Sequence, residues 1–177
     1  ILRGVSFEMR AKATIAQKPL WNAAFFAGSL MASMAQGYML GMYIMGLTWT
    51  LPHVAFALLT AVFLTVGYSF IGAAWLIWKT DGALQKHAVR WAKGGMWGLV
   101  FGIGSISLAT PFVSTRIFDK WFSFPEILYL SPLPILSGVL VVFLWVQLRR
   151  MPFENDRFSW TPFAAATALF ALAYTGM

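Results

Sequence analysis

Three ionisable residues near the start of a largely apolar chain have side chains and a spacing capable of chemistry. Arg3, Glu8 and Lys12 fall within the ten residues "RGVSFEMRAK". A carboxylate takes up and releases protons, and neighbouring cations tune and balance its charge. On a helix, Glu8 and Lys12 stand i, i+4 with the acid first, the order that favours attraction. Arg3 precedes Glu8 by five residues, more than one turn. If that helix leaves a membrane, Arg3 sits deeper, where a guanidinium needs a partner or water. Two readings stand side by side. Either the desolvation of Arg3 at that depth marks a functional residue, or Arg3 and Arg10 reach back to lipid headgroups while Glu8 balances them.

Other chemistry is sparse. The two histidines, His53 and His87, fall in connecting turns rather than within apolar segments, so haem ligation inside a bilayer by these residues is not expected. The nine methionines include Met31, Met34, Met39, Met42 and Met45, scattered over one apolar segment as adaptable packing groups. There is no cysteine, which excludes disulfides and thiolate metal sites. No glycine-rich phosphate loop, nucleophile elbow or zinc signature occurs, so no catalytic and no metal-ligating residue is assigned to this chain. Gln36 lies within an apolar segment, where it suits a hydrogen bond to an adjacent helix or contact with water or a quinone.

The elements that hold these residues follow from composition. With 59% apolar and 11% charged residues among 177, the sequence reads as an integral-membrane protein, a single domain over 1–177. Residues 19–78 contain no Asp, Glu, Lys or Arg, enough for two crossings at about 20 residues each. Five spanning segments are predicted, near 20–47, 51–78, 94–113, 125–148 and 160–177, the last cut short. The chain starts at Ile1 and stops within an apolar run, as expected of an internal fragment lacking the first and last helices of a longer subunit. Unpaired backbone groups are too costly in hydrocarbon and no barrel-like alternation occurs, so the fold class is all-α, a polytopic transmembrane helix bundle. Gly37 and Gly41, at four-residue spacing, would let two helices approach closely.

The net charge of +7 needs no nucleic acid to explain it, because eleven of the thirteen basic residues collect in three loops, 3–18, 79–93 and 149–157. Lys and Arg are retained on the cytoplasmic side during insertion, so these three loops are expected there. The loop at 111–126 instead balances Arg116 and Lys120 with Asp119 and Glu126. Within 79–93, Asp81 can cap a short amphipathic helix, with Leu84, Ala88 and Trp91 on one face and Lys86, Arg90 and Lys93 on the other. A solvated basic loop fits the same residues equally well.

Three blocks carry a resemblance: "LRGVSFEMRAK" at 2–12, "LPHVAFALLTAVFLTVGYSFIGAAWLIWKTDGALQKHA" at 51–88, and "ATPFVSTRIFDKWFSFPEILYLSPLP" at 109–134. They resemble subunit II of the cytochrome bd-type quinol oxidases, including the cyanide-insensitive branch, over essentially the whole chain. The resemblance implies a quinol:oxygen oxidoreductase of the bacterial cytoplasmic membrane that is active only when this subunit joins subunit I. It implies two b-type haems, one d-type haem and the quinol-oxidising loop in subunit I, no cofactor on this chain, a heterodimer, and in some members a very small third subunit. Membrane lipids complete the expected partners. In the family the first block belongs to a hydrophilic route for protons, which carries over to Arg3, Glu8 and Lys12, with Glu8 where some members have aspartate. A secondary transporter is the competing reading, suggested by Gln36, Tyr68 and the prolines of the fourth segment, though inverted repeats are not evident. A third reading is a packing scaffold for subunit I with no proton traffic of its own.

Overall fold

The computed structural model describes residues 1–113, 131–151 and 158–175. Arg116, Asp119, Lys120, Glu126 and Arg157 lie outside the described residues, as do residues 125–130 of the fourth expected segment. The described residues are helical, with no strand among them: α1 Leu2–Lys12, α2 Lys18–Ile44, α3 Leu51–Lys79, α4 Gly82–Val113, α5 Pro132–Arg150 and α6 Thr161–Thr175. Two of them, α3 with 29 residues and α5 with 19, are long and apolar enough to cross a membrane. Large apolar side chains such as Phe101 and Ile135 stand exposed on the helix surfaces, as a hydrocarbon solvent permits.

Proline marks where helices begin. Pro19, Pro52 and Pro132 occupy the first turns of α2, α3 and α5, where a missing N–H costs nothing because no carbonyl would have received it. Pro132 and Pro134 of the fourth segment therefore lie in the opening turn of α5. Between α2 and α3 the chain reverses through Gly46 at φ +73° and Leu47 at φ 59°. The Leu47 N–H returns to the Met42 carbonyl at 2.8 Å, and the Thr48 hydroxyl joins His53 Nδ1 across the turn.

Neighbouring helices run antiparallel, and small residues set their register. A Cβ on Gly37 would lie 2.5 Å from Ala61 Cα, and one on Gly41 2.6 Å from Ala57 Cα, so α2 and α3 touch backbone to backbone. This is the close approach expected from the Gly37–Gly41 spacing. On the other side of α3, glycines of α4 receive larger side chains: Gly95 takes Phe70, Gly98 takes Val66 and Gly102 takes Phe63. Gly67 of α3 seats the ring of Phe170 from α6.

The main core joins α3, α4, α5 and α6 at the end where the basic residues gather. Phe70, Ile77, Ala92, Met96, Leu144, Leu148 and Ala166 are all buried there. α4 departs from expectation. Residues 82–93 are the first turns of a single 32-residue helix and not a separate surface helix, continuous with the expected third segment. Ala88 is fully buried, while Leu84 and Trp91 are 47% and 56% exposed, so the packed stripe is Ala88, Val89, Ala92 and Met96. The physical reason is that small residues sealing against α3 outweigh three cations on the opposite side, whose long stems reach solvent anyway.

Candidate functional site

The charged residues of α1 are positioned by one small contact. Ser6 is completely buried, its hydroxyl donating to the Leu2 carbonyl at 2.7 Å, which leaves no unpaired polar atom at the seam. On α2, Gly28 stands against Arg3, where a Cβ would come within 3.0 Å of the Arg3 backbone nitrogen. Serine on one helix and glycine on the other let the two backbones close up, a recurrent solution inside membranes. The contact fixes both the rotation and the height of α1.

Rotation decides what each side chain faces. At 100° per residue, Glu8 lies about 160° around α1 from Ser6, and Lys12 about 120°, so the pair share the face turned away from α2. Both are exposed, and neither has a hydrogen-bond or ion-pair partner among the described residues. Arg3 lies on the opposite flank, about 60° from Ser6. Its guanidinium sits 5.9 Å from the Phe25 ring of α2, a cation–π contact. The structure thus brings Glu8 and Lys12 onto one face and sets Arg3 apart, roughly 7–8 Å further along the helix than Glu8. Glu8 is one of only two carboxylates among the described residues, the other being Asp81, and Arg10, Lys12 and Lys18 surround its end of the helix.

Spacing of apolar residues did not reveal a second polar feature on α2. Asn22, Ser29, Gln36 and Tyr43 recur every seven residues and fall on one side of the helix, between the face that meets α1 and the face that meets α3. Asn22, Gln36 and Tyr43 are exposed and Ser29 half-buried. Gln36 therefore does not bond to α3. That bond is made by Ser33, whose hydroxyl meets Thr65 Oγ1 at 3.1 Å. The signal that would have found the stripe is a seven-residue repeat in polar residues, not apolar ones.

The described histidines do not suit a haem. His53 is tied to Thr48 in the turn between α2 and α3, and His87 is exposed and accepts from Arg90 at 3.3 Å. No cluster of three metal-binding side chains occurs among the described residues.

Antiparallel helices that touch through glycine, apolar outer surfaces and cations gathered at one end define a polytopic α-helical membrane protein. The matching family model is that of the cytochrome bd terminal oxidase subunit II, aligned over residues 1–177, and the chain belongs to that family. It is thus a membrane component of a respiratory-chain oxidase complex, an oxidoreductase with haem cofactors and at least one partner subunit. Neither a curated relative nor a solved structure matched the chain.

Proposed function

We propose that this chain is the subunit without haem in a quinol:oxygen oxidoreductase, packed as a heterodimer against subunit I and active only in that complex. Its second task is to let protons enter from the cytoplasm through Arg3, Glu8 and Lys12. The basic end of the bundle then faces the cytoplasm of a bacterial cytoplasmic membrane, following the retention of Lys and Arg on that side. The observation that carries this reading is the α1 face: a carboxylate and an amine side by side, turned away from the rest of the chain and unpartnered within its described residues.

A partner helix laid against that face would enclose Glu8 between protein walls, and hydrocarbon offers no other relay for a proton at that depth. Lys12 lies one turn nearer the helix end on the same face, so a proton reaching the carboxylate passes beside a cation. Arg3, braced on Phe25, sets positive potential deeper along the helix, so the carboxylate lies between two cations. The haems of the complex carry the electrons from quinol to dioxygen; the residues of this chain supply only the place where a proton is taken up and held.

The test is the assembled complex with Glu8→Gln. Oxygen consumption per haem should fall about tenfold, equivalent to about 1.4 kcal/mol on the limiting step, while haem content and assembly stay as in the unaltered complex. Turnover per haem unchanged by Glu8→Gln removes the proton role and leaves a packing subunit.

A further inference from the structure

At its basic end, beside α6, α3 carries a cation on an aromatic cluster. Lys79 is the last residue of α3, and its ammonium lies 3.9 Å from the ring centroid of Trp78 and 5.3 Å from that of Trp75. The two indoles meet edge to face at 5.1 Å, and Phe163 of α6 closes the cluster, 5.1 Å from Trp75 and 5.7 Å from Trp78. Two aromatic faces fix the position of the charge, and no hydrogen bond or ion pair to Lys79 occurs among the described residues.

Beside this cluster, a groove of about 390 Å³ runs along α6, lined by Trp78, Trp160, Phe163, Thr167, Ala168 and Ala171. The α6 members recur at helical spacing, so the groove follows the helix from the residue before its first turn for about 16 Å. That is about half the hydrocarbon thickness of a bilayer, or one leaflet. A groove of that length walled by apolar groups suits a single acyl chain lying along the helix. Apart from the two indoles at its headgroup end, the polar lining group is the Thr167 hydroxyl, which donates to the Phe163 carbonyl at 2.9 Å, so the deeper walls offer nothing to water.

We propose that this groove and Lys79 together bind one anionic phospholipid, an acyl chain in the groove and its phosphate on the lysine ammonium. The interfacial position follows from the residues themselves, since tryptophan and lysine at the end of a spanning helix settle at headgroup level. Phosphate offers Lys79 a negative charge, and its three ammonium donors suit the phosphate oxygens. The site is independent of the α1 face and of any proton traffic.

The experiment uses the whole oxidase complex, exchanged from nanodiscs of equal phosphatidylglycerol and phosphatidylcholine into detergent, with retained lipid quantified by mass spectrometry. Lys79→Gln should lower retained phosphatidylglycerol about fivefold, the equivalent of about 1 kcal/mol for one lysine at an anionic headgroup. Lys79→Arg should keep it. Ala168→Trp, which fills the groove without touching the charge, should release the lipid while haem content remains intact. Equal phosphatidylglycerol in the unaltered complex, Lys79→Gln and Ala168→Trp overturns the site, as does retention of phosphatidylcholine to the same extent. A loss of haem content in Ala168→Trp alone transfers the decision to the two lysine variants, which leave the packing untouched.

Discussion

The seam between α1 and α2 and the seam between α3 and α4 are both built on glycine, yet they enclose different chemistry. In the second, Gly95, Gly98 and Gly102 seat Phe70, Val66 and Phe63, and every group at these contacts is apolar. In the first, Gly28 receives the backbone of Arg3 beside a buried serine, and a guanidinium, a carboxylate and an amine are left around its margin. Packing alone accounts for the α3–α4 seam, because lipid gives helices no hydrophobic reason to associate and close van der Waals contact supplies the attraction. The α1–α2 seam carries ionisable groups at its margin as well, and the proposed proton role would give them a use beyond packing.

The largest effect should come from breaking the apolar seam. A Cβ on Gly102 would lie 2.6 Å from Phe63 Cδ1 and 3.0 Å from its Cβ, so Gly102→Leu forces α4 away from α3. Overpacking of this kind costs about 1–3 kcal/mol, and the fixed Cβ of Phe63 places this case at the upper end. The yield of assembled, haem-loaded complex after detergent extraction should fall severalfold. Unchanged yield would show that α3 and α4 meet differently.

A smaller and more selective effect is expected on the polar margin of α1. Glu8→Gln and Lys12→Met, tested singly and together, separate a shared role from two independent ones. If both residues serve one proton route, the double variant should consume oxygen no more slowly than the worse single variant, because effects within one unit do not add. Multiplicative losses would mean that the two act apart, and loss of assembly without loss of turnover per haem would make them structural.

The polar stripe of α2 gives a test whose sign is informative. Gln36 is exposed in this chain. Against lipid, Gln36→Leu would stabilise the protein, since an amide in hydrocarbon is costly. Against a partner helix that bonds to it, the same change should weaken the complex by about 0.6–1.7 kcal/mol. A lower dissociation temperature of the complex is the expected outcome, and a higher one would turn that face to lipid.

How much of this the sequence disclosed depends on the range of the interaction. The ends of α2 and α3 were legible to within a few residues, because Pro19 and Pro52 punctuate an uncharged run and the bilayer sets the length between them. Glu8 and Lys12 sharing a face was legible too, as a consequence of helical spacing. Their separation from Arg3 was not, because it depends on where Gly28 of another helix makes contact. The first turns of α4 misled for a related reason: Lys86, Arg90 and Lys93 read as a surface element, while Ala88 and Ala92, which decide the packing, carry little signal in a periodicity dominated by large residues. The groove along α6 is wholly tertiary, since α6 and the end of α3 lie some eighty residues apart in sequence.

The smallest predicted effect bears on the contact that ties the two regions together. Ser33 of α2 and Thr65 of α3 meet at 3.1 Å, and Thr65 also donates to the Ala61 carbonyl at 2.9 Å. Each hydroxyl also has a backbone carbonyl of its own helix within reach, so either one can donate across the pair. Interhelical bonds of this type average about 0.6 kcal/mol, because the separated helices also find local partners. Ser33 has one ready, the Leu30 carbonyl at 2.9 Å. Ser33→Ala should therefore shift the melting temperature of the complex only slightly, whereas Thr65→Val, which leaves Ser33 free to return to Leu30, should shift it no more. A loss well beyond about 1 kcal/mol for either would mean that the bond belongs to a longer polar network across α2, one that the Gln36 stripe would then have to share.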